Sequence, residues 1–141
     1  MNEFEQLVIA SFATRGWRIT SGVRNLVDIL GEASSPLSVQ ELDVLLGKET
    51  RDLDATTIYR ILDKFIEAGI LHNLSGRFIR CKAPHEIKKQ HHFLLCEKCG
   101  KAEEIFLDYQ GSIEKQLAQE KNFVLREVEM YFWGTCGHCS R

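Results

Sequence analysis

Through the first half of the chain the apolar positions recur every three to four residues. Phe4, Leu7, Val8 and Phe12 mark one face of a helix over Glu3 to Arg15, ended by Gly16. Val23, Leu26, Val27 and Leu30 mark a second helix, begun at Thr20-Ser21 and closed near Gly31. After a break at Ser34-Ser35-Pro36, a third helix has a buried stripe of Val39, Leu42, Leu45 and Leu46, stopped by Gly47. Ser38 and Glu41 have the spacing of a capping box, in which each side chain serves the other's free amide. Lys48 to Leu53 reads as a polar connection. Asp54 caps a fourth helix, Ala55 to Ala68, with Ile58, Leu62, Phe65 and Ile66 inward and Thr56, Thr57, Tyr59, Arg60 and Lys64 outward.

The period then changes. Ile70-Leu71-His72 and Arg77-Phe78-Ile79-Arg80-Cys81 flank a turn at Asn73 to Gly76, which is the pattern of a β-hairpin. Three helices followed by a hairpin make a winged helix-turn-helix, whose last helix enters the major groove while the wing lies beside the phosphates. Thr56, Thr57, Tyr59, Arg60 and Lys64 on that helix, and Arg77 on the wing, are the candidate DNA contacts. The competing reading is a plain solvated helix face.

Pro84 interrupts the strand, and 84–90 reads as a hinge between a DNA-binding domain at 1–83 and a second domain at 91–141. The second domain is α/β. Strands are expected at His91 to Cys96, Ala102 to Leu107 and Val124 to Trp133, forming a three-stranded sheet, with one amphipathic helix at Gln110 to Asn122. The whole is therefore α+β. The run Tyr131-Phe132-Trp133 suits packing or a subunit interface.

Charge supplies no argument for nucleic acid: the net charge is −2 and neither half is basic. DNA binding must rest on local placement of a few cations. The amino terminus has neither the basic flank nor the apolar core of a leader, and no run is long enough to span a membrane, so a cytoplasmic chain with reduced thiols is expected. That expectation matters for the five cysteines. Four form two Cys-x-x-Cys turns, Cys96-Glu97-Lys98-Cys99 and Cys136-Gly137-His138-Cys139, separated by the 36 residues from Gly100 to Thr135. Two such turns can place four thiolates tetrahedrally around one structural zinc, stapling distant segments. The fifth, Cys81, stands apart.

Together these motifs resemble the ferric uptake regulator family of metal-sensing repressors, over nearly the whole chain. Ala55-Thr56-Thr57-Ile58-Tyr59-Arg60-Ile61-Leu62-Asp63 resembles its recognition helix, and Glu67-Ala68-Gly69-Ile70-Leu71 its helix-to-wing junction. His91-His92 before Cys96 and Cys99, with Glu104, resembles its His-rich strand and first knuckle. The iron-type pattern is incomplete: Gln90-His91-His92-Phe93 stands where His-His-Asp-His is usual, and Pro36 and Val128 stand where histidines are common. Thr20-Ser21-Gly22-Val23 replaces the usual Thr-Pro-Gln-Arg, displacing Arg24. His72 after the junction and Cys81 at the end of the wing resemble the zinc uptake regulators.

The resemblance implies a second, regulatory zinc held by His72, Cys81, His91 or His92, and Glu104. It also implies a homodimer that binds double-stranded operator DNA and represses zinc-uptake genes, with no small organic substrate and no membrane partner. Neighbouring strand residues point to opposite faces, so His91 and His92 are not expected to share one site. His91 is favoured, and His85 is a third candidate. A thiolate with imidazoles and a carboxylate suits zinc better than iron(II). The alternative within the family is an iron(II) or peroxide sensor. A zinc enzyme is disfavoured by the absence of His-Glu-x-x-His and His-x-Glu motifs and by the closed four-sulfur site. A zinc-stapled interaction module without a DNA role is disfavoured by the recognition-helix sequence.

Overall fold

A computed structural model describes residues 2–47, 53–82, 91–106, 110–126 and 128–141. The connection at 48–52, the proposed hinge at 84–90 with His85, and Leu107 lie outside the described residues. The chain divides into two compact units, Met1–Pro84 and His85–Arg141.

The first unit is built from α1 (Glu3–Arg15), α2 (Ser21–Glu32), β1 (Leu37–Ser38), α3 (Val39–Leu46), α4 (Ala55–Glu67), β2 (Leu71–Leu74) and β3 (Arg77–Arg80). Each helix begins on a side chain that accepts an otherwise unpaired backbone N–H. Asn2 accepts from Glu5, Thr20 from Val23, Ser38 from Glu41 and Asp54 from Thr57. Phe4, Phe12 and Phe65 meet in the core, with ring centroids 6.0 Å and 5.8 Å from Phe65 to the other two. The buried stripes differ from the sequence pattern at two places. On α4 Ile61 is buried and Ile66 is exposed; on α3 Leu45 is exposed beside buried Leu46. Each misplaced residue is next in sequence to a true core residue, and one helical step of about 100° carries it out of the stripe.

The hairpin β2–β3 turns at Ser75-Gly76, both with positive φ, as a two-residue type I′ connection requires. Asn73 Oδ1 accepts from the Gly76 N–H at 2.7 Å and secures the turn. The two-residue β1, absent from the expected elements, completes a sheet in the order β1-β3-β2. Leu37 pairs with Phe78 and Ser38 with Arg77, so the strand is defined by its partner and not by any alternation of its own. The four helices and this small sheet form a winged helix-turn-helix in which α4 is the last helix before the wing.

The second unit has β4 (His92–Cys96), β5 (Ala102–Ile105), α5 (Gln110–Lys121) and β6 (Tyr131–Gly134). Its sheet runs β5-β4-β6, with β5 antiparallel and β6 parallel to the central β4. The last strand is shorter than expected: Val124 is exposed, and pairing with β4 begins only at Tyr131. Among the described residues of this unit only His92, Phe93, Cys96 and Ala102 are buried. So small a core needs further stabilisation from metal or a partner.

Candidate metal centres

The parallel pairing of β4 with β6 sets Cys96 opposite Gly134, and this brings the two cysteine turns together. The Glu97 N–H donates to the Gly134 carbonyl at 2.9 Å, tying one turn to the other. Each turn is closed on itself: the Gly100 N–H donates to Cys96 O and the Ser140 N–H to Cys136 O, both at 2.9 Å. Gly100, at φ 75°, lets the chain reverse into β5. The sulfurs of Cys96, Cys99, Cys136 and Cys139 lie within 4.8 Å of one another, and none is in a disulfide. Cys99 and Cys136 Sγ are 3.9 Å apart. A tetrahedron of about 2.3 Å zinc–sulfur bonds has an edge of about 3.8 Å, so the donor set fits zinc in both chemistry and size.

Backbone amides already favour thiolates here. The Cys136 N–H donates to Cys96 Sγ at 3.3 Å, and further N–H groups of the first turn assist, holding the Cys96 thiol at about 6 instead of 9.0. The Cys139 N–H, 3.4 Å from Cys136 Sγ, likewise lowers Cys136. Cys139 keeps its proton by sharing it with Cys136 and is pushed up to about 12. The depressed Cys96 value favours metal binding, because less proton has to be displaced from its sulfur when zinc is taken up.

Four further residues singled out by the sequence form two pairs, one in each unit. In the first unit, Ile70 O accepts from the Cys81 N–H at 2.9 Å, continuing the β2–β3 ladder by one step. His72 and Cys81 therefore stand diagonally on one face of the hairpin, with donor atoms within 4.8 Å. Cys81 is buried. In the second unit, Phe93 pairs with Glu104, and His91, two residues before Phe93, shares their face. His91 Nδ1–H donates to Glu104 Oε1, and the His91 ring meets Phe106 edge-on, with centroids 5.8 Å apart.

His92 faces the other way. It is fully buried, and its Nδ1 accepts from the Met130 N–H at 3.1 Å, holding the segment that leads into β6. Burial, and then the neighbouring His91, lower its pKa against a smaller opposing effect of Glu129, which keeps this imidazole neutral. Each pair sets an imidazole beside a thiol or carboxylate donor, an arrangement suited to a divalent cation of intermediate softness.

On α4, Thr56, Tyr59 and Arg60 are exposed, whereas Thr57 is half-buried and gives its N–H to Asp54 at 2.8 Å. Lys64 Nζ lies over the Trp17 ring, 5.7 Å from its centroid, and Arg15 lies over the same ring at 5.4 Å. Arg77 Nη2 donates to Glu41 Oε1 at 2.6 Å and to Pro36 O at 3.3 Å. The capping box is therefore one-sided: Ser38 Oγ accepts from the Glu41 N–H at 3.1 Å, but the Glu41 carboxylate serves Arg77. Sequence spacing carried no sign of the Lys64–Trp17 or Arg77–Glu41 contacts, because these partners lie far apart along the chain.

A winged helix joined to a small sheet with a four-thiol centre defines a metal-binding, DNA-binding type of protein. The family model described as the ferric uptake regulator family matches residues 14–133, and the chain belongs to that family. It is a metal-responsive transcription regulator and not an enzyme. It is 28% identical over 134 residues to the ferric uptake regulation protein of Neisseria gonorrhoeae, covering 93% of this chain and 92% of the relative. To that of Cupriavidus metallidurans it is 32% identical over 102 residues, 71% and 70% of the two chains. Among solved structures, a zinc uptake regulator complexed with zinc and DNA superimposes with a TM-score of 0.81 at 23% identity, covering 99% of this chain and 97% of that one. A protein described as holo XcZur gives 0.77 at 26%, covering 99% of both. No helix among the described residues is long and apolar enough to cross a membrane.

Proposed function

We propose that this regulator is a zinc-dependent repressor: a homodimer that binds operator DNA when a second, regulatory zinc is held by His72, Cys81, His91 and Glu104. The observation that carries the reading is the buried Cys81 thiol beside His72 on the wing hairpin. A thiol donor favours zinc over iron(II), which prefers nitrogen and oxygen ligands. The relatives named as ferric uptake regulation proteins support the iron reading as the competitor. Against it stand Pro36 and Val128, at positions where a second nitrogen and oxygen site would need histidines.

When bound, zinc would link the donor atoms of His72 and Cys81 to those of His91 and Glu104. The ligands do the rest. His72 and Cys81 move with the DNA-binding unit, while His91 and Glu104 belong to the sheet unit, so sharing one ion sets the angle between them. In a two-fold dimer that angle decides whether the two α4 helices match half-sites one DNA turn apart. Thr56, Tyr59 and Arg60 would then reach base edges and phosphates. Cys96, Cys99, Cys136 and Cys139 hold a structural zinc that stays bound throughout. A protein acting on operator DNA works in the cytoplasm.

Exposed Leu94 and Phe132, paired across β4 and β6 on one face of the sheet, supply the apolar surface for the second copy. Phe132→Glu should place like charges across a two-fold interface and weaken the dimer by about 100-fold or more, as read by analytical ultracentrifugation. Its four-thiol zinc should remain.

The experiment that tests the function uses an operator selected from random duplex DNA with zinc-loaded protein. At buffered free metal, zinc should support the complex at concentrations far below those needed for iron(II). Equal or better support by iron(II) would move the protein to the iron branch.

A further inference from the structure

We propose that Arg77 is a positioning residue that clasps the wing to α3, and that it does not contact a DNA phosphate. This rests on the reading of the first unit as operator-binding. Arg77 is the first residue of β3, directly after the Ser75-Gly76 turn, where an exposed arginine on a wing would ordinarily be assigned to the DNA backbone. Its guanidinium is instead turned along the sheet, with one nitrogen bridging the Pro36 carbonyl and the Glu41 carboxylate. Pro36 immediately precedes β1 and Glu41 lies in the first turn of α3. A single side chain thus joins β3 to the residue before β1 and to the first turn of α3.

The local electrostatics make the pair mutually dependent. The start of α3 presents unpaired N–H groups and the positive end of the helix dipole, which would repel a guanidinium. Glu41 cancels that field and gives Arg77 a charge-assisted partner, and in doing so leaves its usual role in the capping box. Backbone pairing of Ser38 with Arg77 and of Leu37 with Phe78 holds the same strand from below. Phe78 anchors it in the core. The turn at Ser75-Gly76 is one residue from this clasp, so the pitch of the wing relative to α3, and through α3 to α4, depends on it.

The test is a double-mutant cycle on the full zinc-loaded chain with Arg77→Gln, Arg77→Lys, Glu41→Gln and the Arg77→Gln/Glu41→Gln pair. Binding to the selected operator is measured from low to high salt, and thermal unfolding without DNA is recorded in parallel. With a clasp, each single change to glutamine weakens operator binding by about two- to five-fold, the worth of an exposed ion pair, and the pair is no weaker than either alone. Arg77→Lys keeps the charge and can bridge two acceptors from one nitrogen, so it serves as the charge-retaining control. The salt slope is unchanged, and the unfolding data show coupling between positions 41 and 77.

A phosphate contact gives the opposite pattern. Arg77→Gln would flatten the salt slope by about 0.9, and Glu41→Gln would tighten binding. That result overturns the proposal. Failure of the unmutated zinc-loaded chain to bind any selected duplex would remove the operator-binding reading itself, while unfolding would still report the clasp.

Discussion

Cys136→Ser yields a protein with one zinc fewer per chain, in which residues 91–141 no longer hold a fixed structure. The reason is the size of the core. This unit buries only four described side chains, and one of them, Cys96, is itself a metal ligand. Structural zinc contributes on the order of 10–16 kcal/mol in small domains that fold around it, more than a handful of buried side chains can replace. The loss should be regional. In hydrogen exchange, amides of β4 and β6 lose protection, while those of α1, α2 and α4 keep theirs, because the phenylalanine-centred core of the first unit owes nothing to the metal. The dimer dissociates as the sheet unit unfolds, and operator binding falls with it. Retention of β4 and β6 protection after zinc loss would show that the sheet unit is held by something other than its four-thiol centre.

The second large effect separates sensing from stability. Cys81→Ser and Glu104→Gln should each keep the structural zinc and the folded sheet yet lose the more weakly held second ion. One change removes the soft donor in the hairpin, and the other neutralises the carboxylate that accepts from His91. Operator affinity in zinc should then fall by about 100-fold, towards the metal-free level, within the usual range of coupling between two sites. Swinging such an equilibrium from mostly open to mostly closed takes about 5.5 kcal/mol of differential affinity, which zinc coordination can supply. His92→Gln should act differently. Its imidazole is buried against the Met130 amide on the opposite face from His91, so the change should lower thermal stability and leave zinc selectivity intact.

Much of this was legible from the chain alone, for identifiable reasons. Helix starts carry their signals locally, and Thr20, Ser38 and Asp54 all cap as short polar side chains do. The Cys-x-x-Cys turns are equally local. What escaped was set by partners distant in sequence. Two residues cannot announce a strand, so β1 became visible only through its pairing with Phe78 and Arg77. The parallel register of β6 on β4, which joins the two cysteine turns, leaves no trace in alternation. The two neighbouring histidines lie on different strand faces: His91 shares the face of Glu104, and His92 turns to the Met130 amide. The Arg77–Glu41 ion pair was hidden for the same reason: the charge of Arg77 is local information, whereas Glu41 is 36 residues away.

The central claim is that a second zinc controls operator binding, and its most direct measurement is operator affinity during stepwise zinc loading of protein that already carries one zinc per chain. The account predicts affinity rising about 100-fold in step with the second equivalent. Equal operator affinity for the one-zinc and two-zinc proteins would contradict it, leaving a zinc-stapled DNA-binding protein without a zinc sensor.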